Sequence, residues 1–166
     1  MKAGTIFDLT GRVELVTGAS SGLGARFAEV AAANGARVVL VGRRSDRLAE
    51  VCRRIEDDDG IALAVTADVT DPAAIASTFD AAEAAFGTVD VLVANAGVVA
   101  GGGLSQVTPE GWRRIMDTNL DAAIWWSTEA ARRLIAAGKR GSIITISSIA
   151  GLLVPRMLGN LVDIVS

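Results

Sequence analysis

The segment Thr17-Gly18-Ala19-Ser20-Ser21-Gly22-Leu23-Gly24 is where residue type and spacing point most directly to chemistry. It follows an apolar run, Val13–Thr17, and opens a stretch of helical periodicity. A glycine-rich turn from strand to helix is the setting of a dinucleotide-binding loop. Gly18 permits the sharp turn, Gly22 leaves room for a pyrophosphate against the backbone, and Gly24 allows close helix packing. The unpaired N–H groups and positive end of the helix then favour an anion. No Gly-Lys-Ser/Thr follows, so the loop is not a P-loop. The competing reading is a tight turn that binds nothing.

Further polar residues sit at the ends of other apolar runs. Asp68-Val69 follows one such run, and Asp68 reads equally as the cap of the turn to Asp71. Asn95-Ala96-Gly97 follows another, where Asn95 can satisfy backbone groups in a bend. Ser148 ends a third and can cap a helix. Arg43 and Arg44 close a fourth and, taken alone, are solvated charges. Cys52 reads as a small core residue. Trp125 and Trp126 read as core or interface anchors.

These residues need elements to hold them. Apolar runs at Val13–Thr17, Arg37–Gly42, Ile61–Thr66, Val89–Ala94 and Ser142–Ser147 are continuous rather than alternating, as in strands covered on both faces. Helical stripes lie between them. Leu23, Phe27, Val30 and Ala31 form one, ending at Asn34-Gly35. Ser45 is placed to cap a helix with Leu48, Val51, Cys52 and Ile55 on its inner face. Asp71-Pro72 and Thr108-Pro109 each pair an N-cap with proline at the first helical position. A helix from about Leu120 to Ala137 carries Ala123, Ile124, Ala130, Ala131, Leu134 and Ile135. Strand–helix alternation of this kind predicts an α/β fold, a doubly wound parallel sheet of about five strands in order 3-2-1-4-5 with helices on both faces. One domain over residues 1–166 is expected, with the tail 156–166 unassigned.

Composition narrows the function. The 166 residues carry a net charge of −3, which offers no footprint for nucleic acid or an anionic membrane. With no His and one Cys, His triads, metal sites and disulfides are not expected. A hydrophobic content of 51% supports a real core. No apolar run matches a signal peptide or a membrane span, so a soluble, cytoplasmic protein is expected.

Taken together, Gly18-x-x-x-Gly22-x-Gly24, Asp68-Val69, Asn95-Ala96-Gly97, Asn119 and Ile146-Ser147-Ser148 resemble, in order, the motifs of the short-chain dehydrogenase/reductase family, which has the Rossmann fold. The resemblance covers about residues 8 to 155. Ala94 replaces the first Asn of the family's Asn-Asn-Ala-Gly motif. It implies hydride transfer between a nicotinamide cofactor and a small ketone or alcohol. Thr17, Gly18, Ser20, Ser21, Gly22, Leu23, Gly24, Arg43, Arg44, Asp68, Val69, Asn95, Ala96 and Gly97 would hold the cofactor. Ser148 and Asn119 would be the catalytic residues.

NAD-binding sites place a carboxylate at the end of the second strand to bind the ribose 2′-OH. Here Gly42 stands there, and Arg43 offers a planar guanidinium for a 2′-phosphate. NADP(H) is therefore expected ahead of NAD(H).

The family's Tyr and Lys positions hold Leu161 and Val165, and the sequence contains no Tyr. The chain thus reads as the cofactor half of a reductase, truncated after the fifth strand. It could also be a segment of a longer protein, or a non-catalytic dinucleotide-binding or subunit-association module. An open edge and an apolar helix face predict a homo-oligomer.

Overall fold

The computed structural model describes residues 6–99 and 106–148. Five parallel strands, β1 (Val13–Thr17), β2 (Arg37–Gly42), β3 (Ile61–Thr66), β4 (Val91–Ala94) and β5 (Ser142–Thr145), lie in the order β3-β2-β1-β4-β5. The helices are α1 (Gly22–Ala33), α2 (Ser45–Asp57), α3 (Pro72–Phe86), α4 (Pro109–Ile115) and α5 (Ala122–Ala136). This is the predicted doubly wound sheet with a helical layer on each side. The chain reverses direction across the sheet at β1, so the loops after β1 and β4 open on a common crevice, where such sheets bind ligands.

Each face of the sheet has its own core. Val16, Val38 and Leu40 pack with Ala28 and Ala31 of α1 and Leu48 and Val51 of α2. Leu15, Val39 and Val41 pack with Phe79 of α3 and Trp126 of α5. Phe79 and Trp126 meet with ring centroids 5.9 Å apart, and the Trp126 indole N–H donates to the Val69 carbonyl at 3.0 Å. That bond ties α5 to the loop after β3 while keeping the buried N–H satisfied.

The start of β1 is held by Asp90, just before β4. Its Oδ2 accepts from the Val13 N–H at 3.0 Å, and its Oδ1 accepts from Arg12 at 3.4 Å. A second polar clip joins α3 to α5. Arg133 reaches Asp80 and Glu83 at 2.7 Å each and Glu129 at 2.6 Å, with its guanidinium over the Phe79 ring.

Several expectations change. Continuous burial holds for β1 and nearly all of β2, but β3 and β5 are sheet edges. Ile143 and Ile144, on opposite faces of β5, are both exposed. β4 begins at Val91 rather than Val89, and β5 ends at Thr145 rather than Ser147; the Ile146 N–H still donates to the Ala94 carbonyl. The inner face of α1 is made of Gly24, Ala25, Ala28, Ala31 and Ala32, while Leu23 and Val30 face outward. Small side chains bring this helix close to the sheet, which a search for large apolar residues overlooks. Ser45 is the first residue of α2, and Arg44 is its cap position. Asp71 and Thr108 cap as predicted, accepting from the N–H groups of Ala73 and Gly111.

The two helices expected after Thr108 form one continuous rod. A π-helical turn, Met116–Asp121, joins α4 to α5. The wider turn rotates the following register, so Ala122, Trp126, Ala130 and Leu134 turn inward while Ile124 and Ile135 turn out. No helix among the described residues is long and apolar enough to cross a membrane. The expectations for Gly151–Gly159, Asn160–Ser166, Leu161 and Val165 lie outside the described residues.

Candidate active site

The glycine loop turns left-handed twice, at Gly18 with φ 68° and at Gly22 with φ 58°. A Cβ on Gly18 would stand 2.8 Å from the Ala96 Cα, so this glycine serves a close backbone approach as well as a turn. A Cβ on Gly22 would meet nothing within 4 Å. Open space therefore lies over the loop at the start of α1, where a bound anion would need it.

Gly24 sits close against the end of β1 and also against a second motif. Its Cβ would lie 2.5 Å from both the Asn95 Nδ2 and the Gly18 carbonyl oxygen. The crowding comes from the side chain of a second motif and equally from the backbone just after β1. Asn95 Nδ2 donates to the Thr17 carbonyl at 3.0 Å, and Thr17 Oγ1 accepts from the N–H groups of Asn95 and Ala96 at 3.0 and 3.1 Å. Thr17 is buried, so these bonds lock the two loops together without competition from water. Thr17 supports the site from beneath rather than lining it.

The crevice between the loops has a volume of ≈ 410 Å³. Gly18, Ser20, Ser21, Arg43, Arg44, Asp68, Val69, Asn95, Ala96 and Gly97 line it, as does Gly42. The sequence reading missed three lining residues, Ala67, Val98 and Thr118. Thr118 reaches the crevice from the π-helical turn, a geometry that hydrophobic periodicity does not signal. Gly22, Leu23 and Gly24 do not line the crevice; Leu23 is exposed, and Gly22 borders a neighbouring groove with Ser20, Ser21 and Arg44.

Asp68 holds its own turn. Its Oδ1 accepts from the Thr70 N–H at 3.0 Å and the Thr70 hydroxyl at 2.8 Å. Its Oδ2 lies 3.7 Å from Arg43. The Thr70 N–H foremost, then the Thr70 hydroxyl and Arg43, keep this carboxyl below its ordinary range. The turn-capping role and a place in the crevice thus coexist. Arg44 points the other way, donating from Nη2 to Ser20 Oγ and Ser21 Oγ at 2.8 Å each.

Asn119 brackets the backbone of one residue, Val98. Its Oδ1 accepts from the Val98 N–H at 2.8 Å, and its Nδ2 donates to the Val98 carbonyl at 3.0 Å. The side chain thereby fixes the loop after β4 from the opposite wall. Ser148 is exposed three residues beyond β5. Cys52 lies outside the site, and burial pushes its thiol up, which makes it less reactive.

Residues 12–159 match the short chain dehydrogenase family. The chain is 40% identical over 141 residues to cis-4-hydroxycyclohexanecarboxylate dehydrogenase of Sinomonas cyclohexanicum, covering 84% of this chain and 56% of that protein. It is 34% identical over 151 residues to NADP-dependent (R)-specific alcohol dehydrogenase of Lentilactobacillus kefiri, covering 91% and 60%. The structure superposes on a short-chain type dehydrogenase/reductase from Mycobacterium marinum with a TM-score of 0.95 at 33% identity, covering 99% of this chain and 66% of that one. The chain therefore spans little more than half the length of these two curated relatives. Its glycine loop, crevice and five-stranded sheet come with a family match over most of its length, and the protein belongs to the short-chain dehydrogenase family.

Proposed function

We propose that this chain binds NADP(H) ahead of NAD(H) and forms the cofactor-binding part of a reductase that interconverts a small ketone and its alcohol. The observation carrying this reading is that Gly18, Ser20 and Ser21 of the glycine loop, Gly42-Arg43-Arg44 and Asn95-Ala96-Gly97 line one crevice. The open space over Gly22, bordered by Ser20 and Ser21, fits a pyrophosphate. Asp68 and Val69 form the adenine end. When bound, the nicotinamide would supply or accept the hydride. Ser148 would donate a hydrogen bond to the substrate oxygen, and Asn119 would hold the Val98 backbone that walls the site.

Reduction of a ketone also needs a proton for the forming alkoxide. A tyrosine with its pKa lowered by a nearby lysine suits that task, and Leu161 and Val165 cannot replace the pair. Loss of a positioned acid alone lowers the rate by about 10²–10⁴-fold. The 166-residue chain is therefore expected to bind NADPH with negligible carbonyl reduction.

Titration calorimetry with NADPH and NADH tests the binding. NADPH oxidation against a panel of ketones and aldehydes tests turnover. Binding of NADPH at lower concentration than NADH, without turnover, is the expected result. Robust turnover that disappears in Ser148→Ala would overturn the reading of this chain as catalytically incomplete. Failure to bind either dinucleotide would overturn the cofactor assignment.

A homo-oligomer belongs to the same reading. Ile124, Trp125 and Ile135 are exposed on α5, and Trp125 is 56% exposed. Covering such a surface is favourable at about 25 cal/mol per Å² of apolar area. Sedimentation velocity at micromolar concentration is expected to show association that weakens in Trp125→Glu. A monodisperse monomer would refute this.

A further inference from the structure

Trp126 is the bulkiest fully buried side chain among the described residues, and its one polar atom ends on a loop of the crevice. The indole N–H donates at 3.0 Å to the Val69 carbonyl, 57 residues earlier in the chain. Val69 lines the crevice beside Asp68, whereas Trp126 does not line it. We propose that Trp126 is a positioning residue for the dinucleotide: through this bond it holds the Val69 wall in the place that receives the adenine. The assignment rests on the cofactor reading above and adds to it a residue that acts from beneath the site.

The loop after β3 needs such a tether. β3 is an edge strand with β2 as its neighbour. The start of the loop is anchored to that neighbour, since the Ala67 N–H donates to the Gly42 carbonyl at 2.9 Å. Past Ala67 the hydrogen bonds of Asp68 are internal. Its side chain accepts twice from Thr70, and its carbonyl accepts from the Asp71 N–H at 3.1 Å. Internal bonds fix the shape of a turn but not where the turn sits on the protein. The ion pair of Asp68 with Arg43 is exposed and adds little. The Val69 side chain packs in the same core as Trp126, but apolar contact is not directional. The indole N–H supplies the missing direction.

The bond is shielded from water, so its loss is costly. Val69 is 8% exposed and Trp126 1%. A Val69 carbonyl deprived of the indole must turn the loop to find water. The loop must then be restored before a ligand binds, and affinity falls with the fraction of chains in which it is in place. The donor itself is held firmly. Its ring meets Phe79, and Arg133 clips α5 to α3 through Asp80 and Glu83. The same rod fixes the opposite wall. Asn119 holds the Val98 backbone seven residues, or about two helical turns, before Trp126. One element thereby sets both the wall after β3 and the wall after β4.

The probe for the test is 5′-AMP, which carries the adenine end alone. Titration calorimetry compares the unmodified chain with Trp126→Phe and with a chain bearing 3-benzothienylalanine at position 126. In the latter, sulfur stands where the N–H was and the ring keeps its size. Both replacements are expected to weaken 5′-AMP binding by about 5- to 30-fold, the scale of a buried carbonyl left unpaired. Val13→Ala is the control. It removes bulk from the same core at the start of β1, away from the crevice. It should lower thermal stability while 5′-AMP affinity changes by less than about twofold. Hydrogen exchange of the unliganded proteins gives a second readout. Amides of residues 67–71 should exchange faster in both proteins altered at position 126, and not in Val13→Ala. If Trp126→Phe unfolds, the benzothienylalanine chain carries the test. Affinity unchanged in that chain, or lost equally in Val13→Ala, overturns the positioning role and leaves the cofactor reading intact. An unmodified chain that does not bind 5′-AMP overturns that reading and this assignment together.

Discussion

Gly24→Ala is expected to lower dinucleotide affinity by more than about 100-fold and to destabilise the fold, although alanine is the better helix former. The propensity gain is about 1 kcal/mol in a helix interior. Against it stands a Cβ 2.5 Å from the Asn95 Nδ2 and the Gly18 carbonyl oxygen. Neither neighbour can yield cheaply. Gly18 O belongs to the backbone of the loop, and Asn95 Nδ2 is bonded to the Thr17 carbonyl. Overpacking costs about 1–3 kcal/mol. Displacing Asn95 also leaves the Thr17 carbonyl without that partner, at about 1–3 kcal/mol more. The clash therefore wins over propensity. Thermal unfolding and NADPH titration of the variant check this. An alanine variant more stable than the parent would show that the two loops adjust freely and that their interlock does not shape the site.

The second large effect concerns Glu14, far from the crevice. It lies on the central strand, between Val38 and Val91 in register, and is 7% exposed. It has no ion pair among the described residues, and burial pushes its carboxyl up to about 7 from an ordinary value of 4.5. The direction of the linkage follows from the raised value. Below pH 4.5 the group is protonated folded and unfolded, and stability is fully present. As pH rises from 4.5 to 7, only the unfolded chain ionises freely, so stability falls. Above pH 7 the penalty is constant, at about 3 kcal/mol. Glu14→Gln removes the charge and keeps the shape. It should stabilise the protein by about 2–3 kcal/mol at pH 8 and by little at pH 4. Urea unfolding of both proteins from pH 4 to 8.5 gives the comparison. A constant difference across that range would mean that Glu14 titrates normally in the folded protein.

Glu14 also shows where local reading ends. In sequence it is one charge inside an apolar run read as covered on both faces, and nothing adjacent shows what would surround it there. Its burial comes from β2 and β4, strands whose registered residues Val38 and Val91 are 24 and 77 positions away. The same holds for Thr17 and Asn95, which lie 78 residues apart and interlock only when β1 and β4 pair. Spacing found both motifs but could not show that Gly24 also seats Asn95.

What the sequence determined by itself rests on short-range physics. Apolar runs of strand length, N-caps at Asp71 and Thr108, and prolines at the first helical turn are set by neighbours within a few residues. Together with the handedness of parallel crossovers, they were enough for the order β3-β2-β1-β4-β5 and for a ligand crevice after β1. Tertiary structure decided the rest. It chose Trp126 over Ile124 for the core, because a π-helical turn reset the register of α5. It left both faces of β5 exposed, because burial of an edge depends on what packs beside it. It sent Arg43 to Asp68 and Arg44 to Ser20 and Ser21, though the two are adjacent in the chain. Side-chain direction at a strand end depends on the partners that distant loops bring within reach, and sequence neighbours carry no record of those distances.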